Sequence, residues 1–371
     1  MLGKPRRLAI LAEGSFTVLD GKTAVGVLRY RPEEVAAVID STRAGRSTEA
    51  CVGLGGSIPV VDGVAAAAAL GADSLLIGIA PQGGELPAAW RGAVREAIER
   101  GWDVLSGLHG FLADDPDLAA RAAASGARLL DVRRPPTRRP VAGARAAQVD
   151  ALVVLTVGSD CNVGKMTAAL ELTRELKTRG VRAAFVATGQ TGIFVADHGV
   201  ALDAVPSDFV AGITEELVIE AAREAEVVLV EGQGALRHPG YSGVTLSLLH
   251  GAAPAALVLC HPSARASMRA PRRAGRAAAT GEPEPVTPII PPLAELVREY
   301  EQAAAWVSPA RVAGVALNTL GLDEAAARRA VADAARETGR PATDPVRFGA
   351  GPIAAALEQA LAERRRHATA P

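Results

Sequence analysis

Residues Val153-Val154-Leu155-Thr156-Val157 run without a break into Gly158-Ser159-Asp160-Cys161-Asn162-Val163-Gly164-Lys165-Met166-Thr167. A short β-rich apolar run, a glycine-bearing loop and a helical pattern in that order read as buried strand, turn and helix start. Such a succession restricts the fold to an α/β sheet whose strand end faces a helix N-terminus. There the unsatisfied first-turn N–H groups, the positive end of the helix dipole and one lysine converge on a point that favours phosphate. The loop departs from the regular GxxxxGK[ST] pattern. Ser159 stands where the first glycine belongs, Gly158 comes one residue early, and Met166 replaces the Ser/Thr that would ligate magnesium. Thr167 is one residue later, about 100° further round a helix, and cannot simply take that role. A phosphate-bearing ligand that is held and not cleaved is the expectation, with no metal and no magnesium.

Length sets the scale: 371 residues allow two domains with sizeable cores. A formal net charge of −1 gives no electrostatic case for nucleic acid or an anionic membrane surface. The three cysteines, Cys51, Cys161 and Cys260, are far apart and form no CxxC pair. Neither a disulfide framework nor a zinc site is expected, which fits a reducing cytoplasm. Lys4, Arg6 and Arg7 precede an apolar run, Leu8 to Ala12, that is too short for a signal peptide. No apolar segment reaches the roughly 20 residues that span a bilayer.

Along the chain, short apolar runs alternate with helical patterns, so the fold class expected is α/β with mainly parallel sheets. Residues 1–132 form a first domain. In it, strands are expected at Leu8–Leu11, Glu49–Gly56, Ser74–Ile79 and Asp103–Ser106, with helices at Pro32–Ile39, 65–69 and Ala88–Arg100. The second of these strands ends in Gly53-Leu54-Gly55-Gly56-Ser57-Ile58, either a tight turn or a dinucleotide fingerprint short of its third glycine. Residues 133–149, with Arg133-Arg134-Pro135-Pro136-Thr137-Arg138-Arg139-Pro140, read as an extended, solvated linker. A second domain follows over 150–360, its strands at 153–157, 181–187, 226–230, 255–260 and 312–317, and 361–371 read as a tail ending in a solvated helix. Polar residues stand at each strand's carboxyl end, where open α/β sheets bind ligands.

Those strand ends carry two resemblances. Gly158–Lys165, Val230-Glu231-Gly232-Gln233-Gly234 and the strand ending at Asn318 resemble the dethiobiotin synthetase branch of phosphate-loop proteins, which implies that Asn318 reads an adenine edge. An ordinary cap at a strand end is the alternative for that residue. Two departures separate the chain from that branch. Met166 replaces the metal-binding threonine, and Ala187 stands where the branch carries a lysine for carbamate and phosphate. Over residues 5–360 the order GSDCNVGKMT, ATGQTG, VEGQG, HPGYSGVTL and LCHP resembles a family long catalogued as a domain of unknown function, whose members include the D-glutamate N-acetyltransferases. That resemblance implies a Rossmann-like first domain, a phosphate-loop second domain, and transfer of acetyl from acetyl-CoA to the amino group of a small amino acid, D-glutamate foremost.

Acetyl-CoA is the co-substrate so implied, and its phosphates suit a cradle of Gly158, Ser159, Asp160, Asn162, Val163, Gly164, Lys165, Met166 and Thr167 with Lys165 as counter-charge. Asp160 would either orient the amine or brace the loop through its own backbone. His238 is the first choice for the base and Glu231 for its partner or substitute, with a loop-fixing hydrogen bond as the alternative for His238. His261 could do similar work or cap a turn. Arg237 and Arg265 would pair with acceptor carboxylates, and Thr188, Gln190 and Thr191 would line the acceptor pocket. The partners expected are small molecules and further copies of the chain in a homo-oligomer. Two other functions fit these motifs: an ATP-dependent ligase or kinase for a carboxylic acid, and a CoA- or nucleotide-binding protein without turnover.

Overall fold

The computed structural model describes residues 5–18, 20–79, 84–268 and 286–368, with only the backbone of residues 367 and 368. Its chain divides into two compact units, Met1–Pro136 with Gly189–Ala204, and Thr137–Thr188 with Val205–Pro371.

In the first unit six parallel strands alternate with helices: β1 (Leu8–Leu11), α1 (Lys22–Tyr30), β2 (Val35–Ile39), α2 (Thr48–Val52), β3 (Val60–Val61), α3 (Val64–Ala69), β4 (Ser74–Ile77), α4 (Arg91–Glu99), β5 (Asp103–Ser106), α5 (Pro116–Ser125) and β6 (Leu129–Asp131). Their order, β3-β2-β1-β4-β5-β6, is the doubly wound order of dinucleotide-binding folds. β1 aligns Ala9 with Ala37 on one side and with Leu75 on the other, and every residue of β1, β2 and β4 is buried. Burial on both faces explains why these strands read as continuous apolar runs.

The second unit opens with β7 (Leu152–Gly158), α6 (Lys165–Thr178) and β8 (Ala183–Val186). After α7 (Gln190–Ala196), which belongs to the first unit, come α8 (Ser207–Ala221), β9 (Val227–Val230), α9 (Ser242–Ala252), β10 (Ala256–Pro262), α10 (Leu293–Ala304), β11 (Arg311–Asn318), α11 (Glu324–Thr338), β12 (Ala342–Thr343) and α12 (Gly351–Ala368). The sheet is again parallel, ordered β12-β11-β10-β7-β9-β8. β7 lies at its switch point, with the later strands β10 and β9 on its two sides, which is where such sheets bind ligands. α6 covers one face through Ala168, Ala169, Leu172 and Leu176, a stripe of helical period packed against Val154, Leu229 and Val258. Full burial of each of its leucines contributes about 1.5–3 kcal/mol.

The fold class is as expected, and several local assignments need correction. Pro32 opens only a 3-10 turn, Pro32–Glu34, and the run behind it, rich in β-branched residues, is the buried strand β2. Glu49–Gly56 is not a strand: Ser47 caps α2 by accepting from Ala50 N–H, and Gly53 ends that helix at φ 70°. The glycines at 53–56 therefore follow a helix, which removes the dinucleotide reading of that turn. The sequence also reads Pro81-Gln82-Gly83-Gly84 as the turn that ends the Ser74–Ile79 unit, and residues 81–83 of it lie outside the described residues. Arg133 is not solvated: it is buried, its Nε donates to Gly107 O at 2.6 Å, and it pairs with Asp203.

Residues 189–204, inside the span 150–360, cluster with the first unit. α7 explains why: Ile193 and Phe194 are buried, Thr191 Oγ1 bonds Thr23 Oγ1 at 3.0 Å, and Arg31 both pairs with Asp197 and donates to Phe194 O. At the other end α12 runs from Gly351 to Ala368, into the expected tail. Arg364 donates to Val149 O and Asp150 O, and Arg365 pairs with Glu226. No helix among the described residues is long and apolar enough to cross a membrane.

Candidate functional site

The loop after β7 folds tightly because two residues take left-handed backbone. Asn162 sits at φ 55° and Gly164, the N-cap of α6, at φ 99°. Gly164 offers no side-chain acceptor to the first turn of α6, an arrangement that at a helix start can receive an anion. Val163 anchors the loop by joining the apolar core under α6. Lys165, the first residue of the helix, is 7% exposed, and its Nζ donates to Asp160 O at 2.9 Å and Gly234 O at 2.7 Å. Burial pulls its pKa below the usual lysine value.

Asp160 is fully buried. Its Oδ1 accepts from Cys161 N–H at 2.6 Å and its Oδ2 from Arg265 Nη1 at 2.7 Å. Asp160 thus braces the loop, and Arg265 is its counter-ion, donating also to Cys161 O at 3.1 Å. His261 Nδ1 meets Ser159 Oγ at 2.9 Å, and burial together with the Arg265 charge pushes its pKa down to about 4. The ring therefore stays neutral and fixes the loop.

Around the cradle, β8 and β9 end on one network. Thr188 N–H donates to Glu231 Oε2 at 3.0 Å, Thr188 Oγ1 donates to Glu231 O at 2.7 Å, and Gln233 Nε2 donates to Thr188 Oγ1 at 3.1 Å. His238 is buried and its ring lies 4.6 Å from that of Tyr241. Its Nδ1 accepts from Gly240 N–H at 3.1 Å, so the neutral ring carries its proton on Nε2 and offers a donor there. Arg237 is exposed, and Glu295 and Glu299 of α10 already occupy its fork. Asn318 Oδ1 accepts from Leu320 N–H at 3.0 Å, an ordinary capping bond. Gln190 and Thr191 begin α7, which clusters with the first unit.

Two groups went unread in the sequence. Tyr300 of α10 is fully buried; its hydroxyl donates to Gly158 O at 2.7 Å and accepts from Leu236 N–H at 3.1 Å, tying the phosphate loop to the segment after β9. A tyrosine 142 residues from Gly158 leaves no local signal. Tyr300→Phe orphans both backbone groups and should destabilise the second unit by about 1–3 kcal/mol; an unchanged denaturant midpoint would contradict that bridge. The other is Cys161. One donor atom each from Asp160, Cys161 and His238 lies within 4.8 Å of the others, a spacing that a metal ion could use. Asp160 pairs with Arg265, and His238 accepts from Gly240 N–H.

Two parallel doubly wound sheets, the second with a phosphate loop at its switch point, define a two-domain α/β protein with Rossmann-like and P-loop halves. The chain belongs to the DUF1611 family. Its residues 41–135 match the Rossmann-like domain of unknown function DUF1611_N, and residues 140–354 match the DUF1611_C P-loop domain. A protein of Tritonibacter scottomollicae named D-glutamate N-acetyltransferase is 37% identical over 341 residues, 92% of this chain and 95% of that protein. Another of that name from a Pseudoalteromonas species is 36% identical over 292 residues, 78% of this chain and 83% of the relative. The crystal structure of a DUF1611 family protein from Anabaena variabilis superposes with a TM-score of 0.86 at 40% identity, covering 95% of this chain and 99% of that one. The family read from the motif order is the family found.

Proposed function

We propose that this protein transfers the acetyl group of acetyl-CoA to the amino group of D-glutamate. The observation that carries the reading is the 37% and 36% identity, over most of the chain, to two proteins named D-glutamate N-acetyltransferase. The geometry supports it: an anion cradle with a lysine at its base, and Met166 where a magnesium-binding hydroxyl would stand, suits a phosphate-bearing donor held without phosphate cleavage. In this reading the donor's phosphates meet the first turn of α6 and Lys165. His238, with its donor at Nε2, and Glu231, 5% exposed just after β9, are the proton-transfer pair of this reading, Glu231 taking the proton of the incoming amine. Thr188 lies beside Glu231 and supplies a neutral contact for the acceptor.

Free-thiol release from acetyl-CoA, followed with a panel of D- and L-amino acids and no ATP, tests the reading. D-Glutamate should give the highest kcat/KM. No thiol release with any of the amino acids, alongside magnesium-dependent phosphate release from ATP, would replace it with the ligase reading. pH adds a second check. Because burial lowers the Lys165 pKa, its charge is lost at a lower pH than that of an exposed lysine. The KM for acetyl-CoA should therefore climb before pH reaches the ordinary lysine value of about 10.4. A donor KM that stays flat up to that point would remove Lys165 from the phosphate site.

A further inference from the structure

Helix α10 grips the turn that carries His238 at two consecutive residues. Leu293, Leu296, Val297, Tyr300 and Ala304 form its buried stripe, spaced at the helical period. Tyr300 adds a hydroxyl to that stripe, and its oxygen accepts from Leu236 N–H at 3.1 Å. One turn apart on the same helix, Glu295 and Glu299 close on Arg237. The guanidinium Nε donates to both oxygens of Glu299, at 2.9 and 3.1 Å, and Nη2 pairs with both glutamates. His238 comes next in the chain. It is 3% exposed, its own N–H donates to Ala235 O at 3.0 Å, and Gly240 N–H holds its ring at Nδ1. The imidazole therefore inherits its place from residues that α10 holds. The far side of the grip is the donor loop. The Tyr300 hydroxyl donates to Gly158 O at 2.7 Å, and Lys165 Nζ reaches Gly234 O, also at 2.7 Å. α10 is itself fixed, since Glu301 accepts from Val312 N–H of β11 at 2.9 Å and Ala294 N–H donates to Glu337 of α11 at 3.2 Å.

We propose that Arg237, Glu295, Glu299 and Tyr300 are positioning residues, which hold His238 at its working distance from the bound donor. This deepens the acetyl-transfer reading above and rests on it. Arg237 then acts through His238 and not on the acceptor's carboxylates. Two observations favour that role. One guanidinium between two carboxylates leaves the cluster net negative, which repels an anionic acceptor. Ion pairs as exposed as these also add little to folding, so stability is a weak reason for gripping Arg237 twice. What a planar fork fixes well is orientation. A catalytic group displaced by about 1 Å loses up to about 10²-fold in rate, so orientation at residue 237 is felt at residue 238.

Steady-state kinetics of the full chain with acetyl-CoA and D-glutamate test this on three variants beside the parent. They are Arg237→Met, Glu295→Gln with Glu299→Gln, and the exchanged pair Arg237→Glu with Glu299→Arg. The first two should lose kcat by about 10- to 100-fold, with the KM of each substrate within about twofold of the parent's. Their melting temperatures should stay near the parent's, because the pairs are exposed. The exchange restores opposite charges across the contact and should regain most of the lost kcat. Tyr300→Phe should lose kcat as well, and the Arg237 series decides the matter even if that variant does not fold. Parental kcat in the double glutamine variant, with a raised KM for D-glutamate in Arg237→Met, would overturn the proposal. It would hand Arg237 to the acceptor and leave acetyl transfer standing. An exchange no faster than Arg237→Met, or losses that appear only with a lowered melting temperature, would overturn it too. A parent chain that acetylates no amino acid would sink both readings.

Discussion

Lys165→Ala should lower kcat/KM by on the order of 10²–10³-fold, about 3–4 kcal/mol, with most of the change in the KM for acetyl-CoA. The size follows from burial. An exposed lysine facing phosphate is screened by water, whereas this ammonium is 7% exposed, and a phosphate brought to it is also desolvated by the cradle. Among the described residues its hydrogen bonds go to the neutral carbonyls of Asp160 and Gly234, which leaves a positive charge for an incoming anion to pair with. That interaction is made with bound donor before and during the reaction, which is why the loss belongs in KM. Stability should change far less, because removing a buried charge offsets part of the packing that is lost. Calorimetric titration with acetyl-CoA and a thermal melt separate the two effects. A folded variant with its donor affinity intact would rule out the phosphate role given to this lysine.

The largest structural effect should come from Gly232→Ala. A Cβ at that position would collide with the carbonyl oxygen of Thr156 and press on Lys165 Cδ at 3.1 Å. The obstacle is backbone, so no side-chain rotation relieves it. Neither strand can slide away. β7 and β9 pair in register from Leu152↔Val227 to Leu155↔Val230, and Gly232 N–H itself donates to Thr156 Oγ1 at 2.9 Å. A loss of about 3–5 kcal/mol in the second unit is expected, enough to empty the soluble fraction of a marginally stable domain. Gly92→Ala is the matched control: nothing lies within 4 Å of its added Cβ, and its place in α4 favours alanine by up to about 1 kcal/mol. Equal melting temperatures for the two variants would contradict the close approach at Gly232.

The sequence and the folded chain agree where one physical signal dominates. β7 was legible because a central parallel strand must be apolar on both faces, and its loop because phosphate binding demands a particular spacing of glycine and lysine. β2 was misread because Pro32 is equally suited to opening a helix or a single 3-10 turn; only the buried run behind it, rich in β-branched residues, decides, and that is a tertiary fact. α2 was missed although its cap, Ser47 followed by Thr48 and Glu49, was present, because the glycines after it drew the strand-and-turn reading. At the site, Lys165, Asp160 and His261 could be named from spacing, but their partners could not. Arg265 pairs with a residue 105 positions away, and Arg237 with glutamates 58 and 62 positions on. Those charge pairings come from strand order, which spacing along the chain does not encode.

Residues 189–204 bear on how this protein is made. The polypeptide crosses from one unit to the other three times, after Pro136, Thr188 and Ala204, so a single cut at the proline-rich stretch cannot yield two intact halves. A fragment stopping at Pro136 lacks the helix that brings Thr191 to Thr23 and the acid, Asp203, that neutralises buried Arg133. On the ribosome, likewise, the amino-terminal sheet must wait for more than fifty further residues to emerge before its own structure is complete.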